Sequence, residues 1–135
     1  MAEKIIIDAT ETVLGRLCSY VAKQALGGSE LVVVNAEKAI ISGNKTDVIN
    51  KYKKLRAMGG TANHGPNYPR SPEMILRRTI RGMLPNYREG HARDSFLRVK
   101  CYNGVPAELA KEKKIKMNTN LPRKYIDLKE LSEKL

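Results

Sequence analysis

Two runs of β-branched residues, Lys4-Ile5-Ile6-Ile7-Asp8 and Leu31-Val32-Val33-Val34, flank one amphipathic stretch, and this arrangement leaves few folds open. Neither run alternates apolar with polar residues, so each is expected to be a strand covered on both faces. Between them Leu14, Leu17, Cys18, Val21, Ala22 and Ala25 keep the i, i+3, i+4 spacing of one helical face. Thr12 can cap that helix, and Gly27-Gly28 stops it. Strand, helix and strand with short connections make a βαβ unit, whose strands run parallel through a right-handed crossover. Ala39-Ile40-Ile41 can add a very short third strand and Val99 to Tyr102 a last one. The fold class is α/β.

A second helix is expected after Gly43, with Asn44 as its cap and Asp47 at the third helical position. Val48, Tyr52 and Leu55 share one side of it, while Lys45, Lys51, Lys53, Lys54 and Arg56 crowd the remainder. Thr61 to Arg70 is loop by composition. Ser71 to Pro85 then reads as a third helix, with Ser71 as cap, Pro72 at the first helical position and Glu73 in the first turn. At 100° per residue Ile75, Leu76, Thr79, Ile80 and Met83 fall in one arc, and Arg77, Arg78 and Arg81 fall opposite. Pro85 ends it and biases Leu84 out of the helical region. Ala92 to Leu97 predicts a further turn or two of helix. Ile126, Leu128 and Leu131 allow a short terminal helix.

One chain of 135 residues is one domain's worth. Its net charge of +11 directs attention to polyanions, and the charge is not evenly spread. Residues 1–43 carry four Lys/Arg against five Asp/Glu, residues 44–116 seventeen against six, and residues 117–135 four against three. The first third is therefore scaffold, and the excess belongs to the middle of the chain and the segment after it. Two segments are expected: an α/β core over 1–106 with a basic middle, and a basic extension over 107–135 ending in the short helix.

Other function classes find little support. No segment approaches ~20 consecutive apolar residues, and no basic amphipathic helix carries bulky aromatics at its border, so a membrane partner is not expected. Soluble and cytoplasmic is the expectation. Cys18 and Cys101 form no C-x-x-C pair and are expected to be buried thiols. Gly43-Asn44-Lys45-Thr46 invites a phosphate-loop reading, but Lys38 stands where the first Gly of that pattern belongs. His64 and His91 have no partner at metal-ligand spacing. Asp8, Glu37 and Asp47 are scattered among scaffold elements, a weak acid–base set, and no nucleophile–base grouping stands out. No enzyme activity, cofactor, metal or small-molecule substrate is expected.

RNA is the partner that fits. Cations spread over helices, loops and a tail suit a path among phosphates, and no strand carries the alternating aromatics of a single-strand platform. The candidate contacts are Lys45, Lys51, Lys53, Lys54, Arg56, His64, Arg70, Arg77, Arg78, Arg81, Arg88, Arg93, Lys111, Lys113, Lys114 and Lys116.

Five blocks of the sequence resemble a known family. Gly15-Arg16-Leu17, Val33-Val34-Asn35-Ala36-Glu37-Lys38 with Ser42-Gly43-Asn44-Lys45, Arg70-Ser71-Pro72, Arg78-Thr79-Ile80-Arg81-Gly82-Met83-Leu84-Pro85 and Tyr102-Asn103-Gly104-Val105-Pro106 run in the order found in ribosomal protein thirteen of the large subunit, in its archaeal and eukaryotic form. The Arg-Gly-Met-Leu-Pro block is the most specific. The resemblance implies a three-layer α/β/α domain with a four-stranded, mainly parallel sheet. It also implies a structural role on large-subunit ribosomal RNA beside neighbouring ribosomal proteins, with no catalysis. By motif position it implies that Lys45, Arg78 and Arg81 face RNA and that Gly82 to Pro85 shape the bend beside them. In one departure Ala92 stands roughly where the family carries a glycine. Two other readings stay open on the residues alone: an RNA-binding module outside the ribosome, and an α/β nucleotide-binding enzyme acting on RNA.

Overall fold

The computed structural model describes residues 4–58, 68–85, 88–117 and 121–135. The elements are β1 (Lys4–Asp8), α1 (Leu14–Leu26), β2 (Glu30–Val34), β3 (Ile40–Ser42), α2 (Lys45–Ala57), α3 (Pro72–Met83), α4 (Gly90–Leu97), β4 (Val99–Cys101), β5 (Ile115–Lys116), β6 (Tyr125–Asp127) and α5 (Leu128–Lys134). The main sheet has the order β4-β2-β1-β5, and every pairing in it is parallel. Ile6 lies opposite Val32 and Ile7 opposite Val33, so the two β-branched runs are the central strands.

Side chains of a strand alternate between faces, and here both faces are occupied. Ile5, Ile7, Leu31, Val33 and Val99 enter the main core with α1, α3 and α5. Ile6, Val32 and Val34 meet Leu109, carried by a single 3-10 turn at Ala107–Leu109. The architecture is the expected three-layer α/β/α, with the second layer reduced to that turn among the described residues. The six residues expected on the inner face of α1 are the six that are buried there.

Two elements are used differently from expectation. The short run after Ala39 does form a strand, but it pairs antiparallel with β6 as a separate two-stranded sheet. The fourth strand of the main sheet is instead Ile115–Lys116, from a stretch with no apolar stripe. A two-residue edge strand whose Ile115 stays 42% exposed has no alternation for sequence to display. The caps also shift. Val13 forms a bridge with Ile40 and becomes the residue before α1, while the Thr12 hydroxyl donates to the Thr10 carbonyl. Ser71 precedes α3 without a side-chain cap bond, and its carbonyl takes the Met74 and Ile75 amides at 3.1 and 2.9 Å. Asn44 does cap α2, accepting the Thr46 amide at 3.3 Å.

Ile75, Leu76 and Ile80 are buried as the apolar wall of α3, and Thr79 is half-buried. Met83 departs from that wall at 40% exposure. The helix stops there, Leu84 turns extended before Pro85, and Leu84 takes the buried place instead. Gly90 begins α4 at a φ of +61°, which L side chains rarely adopt, and Ala92 is buried two residues later.

Candidate nucleic-acid interface

Charge on this surface is held in two ways. On α2 the cations Lys45, Lys51, Lys53, Lys54 and Arg56 are all exposed, and Val48 is the one residue buried. The helix is polar almost all round, with Tyr52 and Leu55 half-buried on the remaining side. On α3 the arginines are half-buried. The Arg77 guanidinium lies over the Phe96 ring of α4 at 4.3 Å, and that of Arg78 over the Tyr68 ring at 4.0 Å. Tyr68 meets Tyr52 of α2 edge-on, with ring centroids 6.1 Å apart. Tyr52, Tyr68, Arg78, Thr79, Arg81 and Gly82 line one cleft, so the two basic helices share a continuous surface. A guanidinium over a ring keeps its charge while its orientation is fixed, which a solvated lysine cannot match.

The other candidates are spread around this surface. Lys45 reaches Glu130 of α5 at 3.1 Å, both side chains well exposed. Arg70 donates from Nε to the Ser132 carbonyl at 3.3 Å, and so ties the start of α3 to the terminal helix. Arg88 and Arg93 are exposed around α4. Lys111, Lys113 and Lys116 are exposed, whereas Lys114 is half-buried and donates to the Ala110 and Glu112 carbonyls. His64 lies outside the described residues. The structure therefore brings α2 and α3 together and leaves Lys111 to Lys116 on and near the β5 edge.

Sequence reasoning missed Tyr68 and Phe96, the ring platforms under the arginines. The only signal was that Phe96 is the chain's single phenylalanine and lies on a short helix otherwise rich in polar residues. Two residues near it prove structural. His91 Nε2 donates to the Leu26 carbonyl at 2.8 Å, and Arg98 donates to Ala25 O at 3.1 Å and to Ser95 Oγ. Both satisfy carbonyls at the end of α1, and the Arg98 charge also suits the helix dipole there.

Two of the three scattered acids have structural partners. Asp8 Oδ1 accepts from the Thr10 amide at 3.0 Å, the Thr10 hydroxyl at 2.6 Å and Asn35 Nδ2 at 3.1 Å. Burial raises the Asp8 pKa, but the Thr10 and Asn35 hydrogen bonds and Lys116 outweigh it and leave it below the ordinary value. Glu37 accepts the Gly104 amide at 2.8 Å, and Asp47 is exposed in the first turn of α2. Asp8 and Glu37 thus hold the loops at the strand ends, and the three acids do not converge on a reaction centre. Among the described residues no three His, Cys, Asp or Glu side chains gather as a metal set, and no helix is long and apolar enough to cross a membrane. Cys18 is buried and its thiol is pushed well above the usual range by burial. Cys101, half-buried rather than fully so, is pushed up to about 12 by burial.

Comparison with known proteins agrees with the five sequence blocks. Residues 2–108 match the family model described as Ribosomal protein L13. The large ribosomal subunit protein uL13 of Methanocaldococcus jannaschii is 49% identical over 135 residues, covering 96% of each chain. Its counterpart from Methanosarcina barkeri is 46% identical over 136 residues with the same coverage. That of Natronomonas pharaonis is 40% identical over 135 residues, or 97% of this chain and 90% of the relative. This chain belongs to the ribosomal protein L13 family.

Proposed function

We infer that the protein is a structural constituent of the large ribosomal subunit that binds and organises its ribosomal RNA, without catalysis. The observation that carries the RNA contact is the joined basic surface of α2 and α3. There, three guanidiniums stand opposite the wall of Ile75, Leu76 and Ile80, next to a helix whose cations are all exposed. Like charges within a turn or two repel, and a phosphate lattice relieves that repulsion. The core over 1–106, completed by β5, β6 and α5 of the extension, presents α2 and α3. The basic residues of the extension over 107–135, Lys111, Lys113, Lys114 and Lys116, give a second contact area along the β5 edge. Neighbouring large-subunit proteins complete the environment, and the compartment is the cytoplasm, on the ribosome.

Co-sedimentation of the native protein with large subunits, followed by a crosslinking map to ribosomal RNA, tests this reading. Crosslinks from α2 and α3 are expected. A protein found only in the free pool would favour a module acting outside the ribosome. For purified RNA, neutralising roughly 6–10 phosphates lowers affinity about 10³–10⁵-fold between 50 and 200 mM salt. A flat salt response would remove the charge excess as the binding surface.

A further inference from the structure

Between α3 and α4 lies a small cleft of about 200 Å³, lined by Pro69, Met74, Arg77, Arg78, Arg81 and Phe96. It is smaller than the about 300–1,000 Å³ of sites for drug-sized ligands. Its walls are also chemically mixed. Pro69, Met74 and the Phe96 ring are apolar, and Met74 remains 45% exposed, while three guanidiniums close the rest. A phosphate alone has no use for the apolar walls, and an apolar side chain has none for the guanidiniums. A nucleotide uses both, because its base has flat faces to stack and its phosphates carry charge.

We propose that this cleft receives one unstacked nucleobase of the bound RNA, seated against the Arg77–Phe96 pair with its flanking phosphates on Arg78 and Arg81. The proposal rests on the RNA reading above and adds that the contact at α3 includes a base taken out of its helix. Bases splayed from loops and bulges stack on aromatic rings and on guanidinium planes, and Arg77 over Phe96 at 4.3 Å offers both in one place. The pairing also holds the Arg77 plane before RNA arrives, which lowers the entropy lost on binding. A fully paired RNA meets only the charges and leaves the apolar walls wet.

The test uses the full-length protein and two RNA probes, a fully paired 16-base-pair duplex and the same duplex with a single 2-aminopurine bulge. The bulged probe should bind several-fold to about a hundredfold more tightly, the range that stacking one base on an aromatic side chain supplies. Its 2-aminopurine emission should change at saturation. Phe96→Tyr should keep that preference and Phe96→Leu should lose it, with affinity for the paired duplex held in both. Should Phe96→Leu fail to fold by its melting curve, Phe96→Met, which fills the same space without a ring, is read in its place. The ratio of bulged to paired affinity then cancels the shared phosphate contacts and should fall to near one. Equal affinity of the native protein for both probes, with unchanged emission, would overturn the base-binding proposal and leave the RNA reading intact, as expected if a neighbouring protein fills the cleft. A preference that survives Phe96→Leu would also overturn it. Binding to neither probe at low salt would bring down both readings.

Discussion

Helices α2 and α3 carry half of the candidate RNA contacts, yet they relate to the fold in opposite ways. α3 buries Ile75, Leu76 and Ile80, stands in the main core, and rests two of its arginines on rings of neighbouring segments. α2 buries only Val48 and extends its lysines into solvent. Charge on α3 is thus a shaped feature, fixed by packing. On α2 it is a diffuse cloud that suits any phosphate within reach. Lys and Arg divide accordingly: four of the five α2 cations are lysines, and all three on the outer face of α3 are arginines. A planar guanidinium loses less freedom than an ammonium when it is held in one place.

The largest expected effect separates the two helices by stability. Ile80→Asp puts an unpaired carboxylate into the core and should cost about 4 kcal/mol or more, unfolding the domain and abolishing RNA binding as a consequence. Lys53→Asp on α2 makes the same chemical intrusion at an exposed position and should move stability by about 0.5 kcal/mol or less. Melting curves of the two variants check this, and similar values would remove the distinction between a packed and a solvated basic helix.

Binding gives the next contrast. Replacing Arg77, Arg78 and Arg81 together with Gln should flatten the salt slope by about 0.9 for each lost contact to duplex phosphate, up to roughly 2.7 for three. Lys51, Lys53 and Lys54 replaced together with Gln should flatten it by no more than that, since each is one exposed charge. Only the arginine variant should also melt earlier, because each cation–ring pair contributes about 0.5–1 kcal/mol or more when partly desolvated. An arginine variant that melts normally would mean the rings do not hold these side chains, and one with an unchanged slope would place RNA elsewhere.

A smaller effect concerns the common core beneath both helices. Cys18→Ser puts a hydroxyl among Leu14, Leu17, Val21 and Ala25, where the Leu76 carbonyl that now accepts from the thiol at 3.7 Å compensates it in part, and should cost about 1 kcal/mol. The native Cys18 thiol should label with a thiol reagent only as fast as the protein unfolds. Its pKa is raised in the folded state, so its stabilising contribution is complete below the unfolded value of roughly 8.5 and is lost as pH rises beyond it. Stability should therefore decline on the alkaline side. The serine variant should lose part of that decline, with the Cys101 share remaining.

Much of this was legible in the sequence because periodicity reports burial. The continuous runs at Ile5 and Leu31, the six inner residues of α1 and the apolar wall of α3 each lie where one face meets the core. The fourth strand was not legible, since Ile115–Lys116 is too short to have a period and is held by its neighbour β1. The Thr12 cap failed because the bridge between Val13 and Ile40 makes Val13 the residue before α1, a long-range contact that local chemistry does not show. At the interface, charge located the surface but not its organisation. The stacking of Arg77 on Phe96 joins two helices across nineteen residues, and no local pattern marks such a pair.

The smallest effect bears on Lys45, where the two helices' logic meets. It opens the exposed α2 row, yet its ammonium is 3.1 Å from Glu130 of α5, with the two side chains 57% and 36% exposed. An exposed pair of this kind contributes about 0.2–1 kcal/mol and is screened by salt. Glu130→Gln should therefore change stability by less than about 1 kcal/mol. If Lys45 moves to a phosphate on binding, the native carboxylate must be left behind near a polyanion, and its removal should strengthen RNA binding modestly at low salt. Lys45→Gln should weaken binding and flatten the salt slope by about 0.9 for one duplex phosphate. The two variants together should show the sign difference that a shared ammonium requires. Unchanged affinity in Glu130→Gln with an unchanged slope in Lys45→Gln would make this pair a tether between α2 and α5, and would limit the RNA-facing row of α2 to Lys51 and beyond.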